Sequence, residues 1–456
     1  MKIHKKTTQE VDMLHGALAG KLILFAMPLA LSSILQQLFN SADVAVVGQF
    51  VGSDALAATG SCVALVGIFV NLIVGLSVGP NAVLAMAIGR NARKEIHDIL
   101  HTVIAFAIIL GVCLLLVGMI IAMPVLKLSG TPETVLPQAL LYIYIYFAGI
   151  PFMVIYNYGS AVLRSFGDSK NPMFIMVLSG TVNVILNLVF VLVFRLGVAG
   201  VALATSLSNL LSAGLILYLL VHQEGDFKLN LKELKVDRKY LRQILAIGIP
   251  AGFQGAIFSV SNVFIQAGIN TFGKNAIAGS SLALNFEYFT YDIAAAFAQA
   301  ATTFISQNYG AGQNDRCRRV FGLCMLFGIS FTQILSIIFL IWDDFFIGIY
   351  TNTAAVAAFG AIRLWHVCSL EGLTATYEVG SAALRGYGKS LEPAIVTIMG
   401  TVVFRIVWMQ TVFRIFPSYD VLMNVYPVSW VFTGSIILIL YYRYQRKLAR
   451  SSHNGL

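Results

Sequence analysis

Five carboxylates stand inside long apolar stretches of this 456-residue chain: Asp43, Glu287, Asp292, Glu371 and Glu378. A carboxylate at hydrocarbon depth costs roughly 2.5–3.5 kcal/mol even on insertion scales, so a chain that keeps one there has a use for it. In low dielectric such a group takes a proton or a small cation in place of water. Amides and hydroxyls accompany them. Gln36, Gln37 and Asn40 precede Asp43, Asn183 and Asn187 are one turn apart, and Thr205 lies on the next run. Such groups stabilise a carboxylate, coordinate a cation or bond helices together, and spacing leaves all three open. The run Asn285–Tyr291 sets Glu287 among the rings of Phe286, Tyr288, Phe289 and Tyr291, which suits an organic cation. On a continuous helix Glu371 and Glu378 fall about 20° apart, with Thr374 between them, whereas Glu287 and Asp292 diverge by about 140°. The competing role for each acid is a tie to a neighbouring Arg, Tyr or amide that fixes packing. His366 reads as a packed, hydrogen-bonded residue.

These residues need helices to hold them. Hydrophobic residues make up 58% of the chain and charged residues 11%, against roughly 25% charged in a soluble domain. Lipid must therefore be part of the solvent. Twelve runs are long enough to cross a hydrocarbon core: 20–47, 55–86, 98–122, 135–163, 172–193, 198–221, 242–270, 276–307, 318–341, 356–384, 393–415 and 422–443. The net charge of +9 does not indicate nucleic acid, because of where the 30 Lys and Arg residues lie. Only Lys127, Arg195, Lys274 and Arg414 fall in odd-numbered loops, and Arg363 and Arg405 lie inside spans. The tails (Lys2, Lys5, Lys6, Arg443, Lys447) and even-numbered loops hold the others, which places both termini in the cytoplasm. The first apolar run is too long for a cleavable signal peptide. Cys62, Cys113, Cys317, Cys324 and Cys368 lack metal-ligand or redox spacing.

The chain repeats itself at a shift of 221. Tyr156, Gly159, Ser160, Ala161, Leu163, Arg164, Gly167 and Pro172 recur as Tyr377, Gly380, Ser381, Ala382, Leu384, Arg385, Gly388 and Pro393. One residue more takes Pro28 to Pro250 and Asn40 to Asn262. Two copies of six crossings lie the same way up, so the fold expected is an all-α polytopic membrane protein. It has twelve transmembrane helices in two six-helix lobes, related by a pseudo-two-fold axis along the membrane normal. The lobes are 1–221 and 242–456, joined by the polar linker 222–241. Gly75 with Gly79 and Gly248 with Gly252 permit close helix approach. The repeat also separates architecture from chemistry. Arg164, Arg385 and their glycines recur, but no buried acid does: Glu287 aligns with Val66, Glu371 with Ile150 and Glu378 with Asn157.

With Leu163–Gly167 and Leu384–Gly388, the opening Met27–Gly60, Gly197–Ser208 and Ala283–Phe289 in view, the chain resembles the multidrug and toxic compound extrusion (MATE) transporters over essentially its whole length. The resemblance implies a cavity between two six-helix lobes and export of organic cations and other amphiphiles in exchange for H⁺ or Na⁺. It makes Asp43 the coupling carboxylate, with Asn183, Asn187 and Thr205 around it. Some prokaryotic members carry a second aspartate where this chain has Asn187, and the acid often found in the seventh helix is missing, with Gln254 nearby.

The function expected is thus secondary antiport by alternating access. Asp43, Asn183, Asn187 and Thr205 would serve the coupling cation, with transient Na⁺ at Asp43 one option. Gln36, Asn40, Glu287, Tyr291, Glu371 and Glu378 would serve the substrate. The alternative is a flippase or exporter of lipid-linked or polysaccharide precursors. No protease, metal-hydrolase or nucleotide-binding motif points to an enzyme. Expected partners are small organic molecules and the bilayer of the cell membrane, with no nucleic acid, obligate protein partner or cofactor beyond the coupling ion.

Overall fold

The computed structural model describes residues 11–453; Lys2, Lys5 and Lys6 lie outside them. Among the described residues no strand occurs, and the chain forms twelve helical spans with a short extra helix, Asp343–Tyr350, between the ninth and tenth. They are α1 (Ala19–Val51), α2 (Ser53–Gly89), α3 (Arg93–Leu128), the bent pair α4 (Leu136–Ala148 and Ile150–Phe166), α5 (Lys170–Val193) and α6 (Val198–Val221). The second half repeats the series: α7 (Arg238–Asn270), α8 (Lys274–Gly310), α9 (Asn314–Ile341), α10 (Ala354–Cys368 and Thr374–Gly386), α11 (Leu391–Ile415) and α12 (Tyr419–Arg450). Nine of these described helices are singly long and apolar enough to cross a bilayer, and α4 is a tenth if its two pieces form one span. The two that fall outside this group, α8 and α10, carry Glu287, Asp292, Arg363, Glu371 and Glu378, whose charge lowers apolarity. The chain is a multi-pass membrane protein.

The repeat is visible in the backbone. Gly167 and Gly388 both take left-handed conformations, at φ +99° and +80°, where a Cβ is strained. Each closes its helix identically: Gly167 N–H donates to Arg164 O (3.0 Å) and Asp168 N–H to Leu163 O (3.0 Å), with Gly388 to Arg385 (2.8 Å) and Lys389 to Leu384 (2.9 Å). The bend of 41° in α4 has a local cause. Gly149 N–H donates to Tyr146 O, and Ser206 Oγ supplies the donor that Ile145 O then lacks, at 2.8 Å.

Contacts group the chain into two compact units, one built on Leu31–Gly252 and the other on Met13–Ala30 with Phe253–Leu456. The leading part of α1 therefore belongs to the second unit and that of α7 to the first. Both changes come within three residues of a repeated proline, Pro28 or Pro250. In the first unit the expected small-residue faces meet each other. A Cβ on Gly75 would lie 2.5 Å from Ala251 O, one on Gly248 would lie 2.7 Å from Leu76 O, and Gly79 is pressed against Ile244 O. The linker is shorter than expected, since α7 starts at Arg238, and it is docked on α3. Leu229 is buried, Asn230 N–H donates to His101 Nε2 (3.1 Å) and Asp237 N–H to Thr102 Oγ1 (3.1 Å). Asp98 accepts from Lys235 Nζ at 2.8 Å, and that carboxylate holds the ammonium above its ordinary range.

Candidate functional site

In the first unit, α1 presents Asp43, α5 presents Asn183 and Asn187, and α6 presents Thr205. The structure links them in one chain of contacts. Asn187 Nδ2 donates to Asp43 Oδ1 and faces Asn183 Oδ1 at 3.4 Å. Asn183 Nδ2 reaches Thr205 Oγ1 at 3.4 Å, and Thr205 Oγ1 donates to Val201 O at 3.1 Å. All four expected coupling residues are thereby brought together. Asn187 is fully buried, yet its Oδ1 has no hydrogen-bond partner among the described residues. An orphan acceptor beside a carboxylate that forms no ion pair among the described residues leaves oxygen donors for a small cation. Gln36 and Asn40 lie about two turns and one turn ahead of Asp43, both exposed.

The backbone is irregular just here. Both α1 and α5 end in π-helical turns, Val47–Val51 four residues past Asp43 and Val189–Val193 two past Asn187. Such turns widen a helix and re-aim its side chains, frequently at functional sites. Like the acids, they have no counterpart at the 221-residue shift. Tyr142 and Tyr146, spaced i, i+4 on α4, stack with ring centroids 6.1 Å apart.

The second unit contains a cavity lined among others by Glu287, Tyr291, Arg363, Glu371, Arg405 and Tyr426. Glu287 is not a free charge. Arg363 clasps it with two parallel bonds, Nε to Oε1 at 2.5 Å and Nη2 to Oε2 at 2.7 Å, and Arg363 Nη1 donates to Ser280 Oγ at 2.9 Å. Ser280 in turn meets Tyr419 OH at 2.9 Å. Glu287 thus takes the packing-tie alternative while remaining on the cavity wall.

The expectation of a continuous helix through Glu371 and Glu378 needs correction. α10 breaks after Cys368, and Glu371 opens a 3₁₀ turn, Glu371–Leu373, before helix resumes at Thr374. Both acids nevertheless face α8: Thr290 Oγ1 donates to Glu371 Oε2 (2.6 Å) and Tyr291 OH to Glu378 Oε1 (2.8 Å). Glu371 and Tyr291 line the cavity; Glu378 and Asp292 do not. His366 Nδ1 meets Ile362 O at 2.8 Å, and its Nε2 lies 3.6 Å from Asp420 Oδ1. Sequence reasoning noted Arg363 and Arg405 only as exceptions. A guanidinium in an apolar run costs as much as a carboxylate and was an equal signal. The aromatic wall of Tyr426 and Trp430 was also missed.

Known proteins resemble this chain over most of its length. The MatE family model matches twice, over residues 28–189 and 250–409, at nearly the internal repeat distance. The model described as lipid II flippase MurJ matches 142–266. The probable multidrug resistance protein YoeA of Bacillus subtilis is 26% identical over 386 residues, covering 82% of each chain. A FAD transporter of Shewanella oneidensis is 28% identical over 303 residues, covering 66% of this chain and 67% of its own. A crystal structure described as MATE in the bent conformation superposes with a TM-score of 0.90 over 98% of this chain and all of the other, at 21% identity. Two copies of one model, spanning most of the residues, settle the family: the chain belongs to MatE, the multidrug and toxic compound extrusion transporters.

Proposed function

We propose that this protein is a secondary active antiporter that exports organic cations, drugs or other amphiphilic toxic compounds in exchange for H⁺ or Na⁺. The observation that supports the reading most is the Asp43 web with its orphan Asn187 oxygen. With Asp43 ionised, Asn187 donates to it. Proton uptake turns one carboxyl oxygen into a donor, and a half-turn of the Asn187 amide then offers it an acceptor. Sodium would instead take oxygens from Asp43, Asn187, Asn183 and Thr205. Either cargo removes the net charge that holds α1 to α5, and so couples ion occupancy to helix packing. A potential of ~100 mV is worth about 2.3 kcal/mol per charge moved, enough to drive uphill export.

Dye efflux from vesicles with independently imposed proton and sodium gradients tests the reading and selects the ion. Asp43→Asn should abolish gradient-driven efflux while leaving the protein inserted and monodisperse. Normal efflux by that variant rejects the scheme. A second reading, export of lipid-linked or polysaccharide precursors, draws on the flippase-model match over residues 142–266. It predicts scrambling of a lipid-linked glycan across vesicles without dye efflux. The placement of Lys and Arg supports residence in the cell membrane with both termini cytoplasmic. Protease access to a carboxy-terminal tag in inside-out but not right-side-out vesicles checks that orientation.

A further inference from the structure

We propose that the cavity of the second unit contains an anion-binding pole at Arg405, so that it takes flat aromatic amphiphiles bearing a phosphate or carboxylate. Arg405 is 1% exposed and lines the cavity, with its guanidinium 4.7 Å from the Tyr426 ring centroid and 5.4 Å from that of Phe258. A guanidinium has five N–H donors. Here Nε makes one long bond, to Ser429 Oγ at 3.4 Å, and Nη1 is buried with no partner. No carboxylate among the described residues forms an ion pair with it. Those nearby are engaged elsewhere: both Glu287 oxygens serve Arg363, and Glu371 Oε2 is held by Thr290.

A buried cation flanked by rings but short of acceptors is complementary to an anion on an aromatic body. The rings of Tyr426, Trp430 and Tyr288 line the cavity and supply the walls for that body. The backbone singles out the same residue. Arg405 follows a π-helical segment, Ile398–Val403, by two positions, and that segment has no counterpart at the 221-residue shift. Arg363 occupies the same cavity, but each of its three nitrogens already donates to a protein oxygen, so the two guanidiniums divide the work. Arg363 builds the wall, and Arg405 is left for a ligand.

In its physiological meaning the inference rests on the transport reading, because it names a class of cargo. Its test does not, since it measures equilibrium binding with no gradient. The purified full-length protein is titrated with riboflavin and with riboflavin 5′-phosphate, which share a fluorescent ring and differ by one phosphate. The phosphate form should bind about tenfold more tightly or better, one charge-assisted bond's worth, and phenyl phosphate should displace it. Arg405→Met should erase the preference while leaving riboflavin affinity within about twofold, and Arg405→Lys should retain part of it. Should Arg405→Met fail to fold, the wild-type preference and the Arg405→Lys comparison decide. Equal affinity for the two flavins, no binding of the phosphate form, or a preference that survives Arg405→Met overturns the proposal. Loss of gradient-driven efflux in Asp43→Asn with intact phosphate preference, or the reverse, separates the two readings.

Discussion

At the scale of single residues, the two units handle buried charge in opposite ways. Asp43 accepts from an amide and forms no ion pair among the described residues, whereas Glu287 is clasped by Arg363. Breaking a buried pair strands the surviving charge, while replacing both partners by apolar groups is often neutral. Glu287→Gln alone should therefore lower stability by about 3–5 kcal/mol, and Glu287→Leu with Arg363→Met should recover most of it, read by thermal unfolding of the solubilised protein. Asn187→Ala removes both the donor to Asp43 and the orphan oxygen. It should weaken the apparent affinity for the coupling ion by about tenfold or more, measured as the ion concentration for half-maximal efflux. Asp43 was legible in the sequence because a lone carboxylate in an apolar run is conspicuous. The Glu287–Arg363 clasp was not, because its partners lie 76 positions apart and nothing local encodes their meeting.

At the scale of elements, helix faces and helix ends follow local rules, whereas breaks and docking do not. The small residues at Gly75, Gly79, Gly248 and Gly252 predicted close approach, and the backbones touch there. Gly79→Leu should force α2 from α7 and cost about 1–3 kcal/mol, with a lower unfolding temperature and no loss of helix by circular dichroism. In the sequence the linker is marked only as a polar segment joining the lobes. Its docking depends on buried Leu229, with Phe227 and Leu234 packed beside it, and on backbone donors to His101 and Thr102. Leu229→Asp should undock it and speed limited proteolysis between His222 and Asp237 by about tenfold or more, because burying a carboxylate costs several kcal/mol. The break in α10 and the three π-helical turns had no clear sequence mark. Each is a compromise between side-chain positions imposed by neighbouring helices and the 3.6-residue period.

At the scale of the whole molecule, duplication sets the frame and departures from it carry the chemistry. The two glycine caps are the frame: Gly167→Ala and Gly388→Ala should each cost about 1 kcal/mol or more, from the left-handed backbone alone. Gly167→Ala should cost more than that minimum, since its Cβ would also sit 2.5 Å from Val11 O, and paired unfolding curves check this. The second unit also draws on distant sequence. Arg316 donates to Met13 O (3.1 Å), His15 O (3.0 Å) and Gly16 O (2.9 Å), and Phe25 meets Phe304 edge-on.

What the sequence determined by itself was whatever depends on composition and period. Membrane residence, twelve crossings, duplication, the lobe-specific acids and the glycine caps all follow from local chemistry written in consecutive residues. Tertiary structure alone decided which charges are spent on each other. Glu287 went to Arg363, Glu371 to Thr290 and Glu378 to Tyr291, and Arg405 was left with unfilled donors. The physical reason is that hydrophobic burial is additive along a chain. Satisfaction of a buried polar group depends instead on side chains that only packing brings within 3 Å.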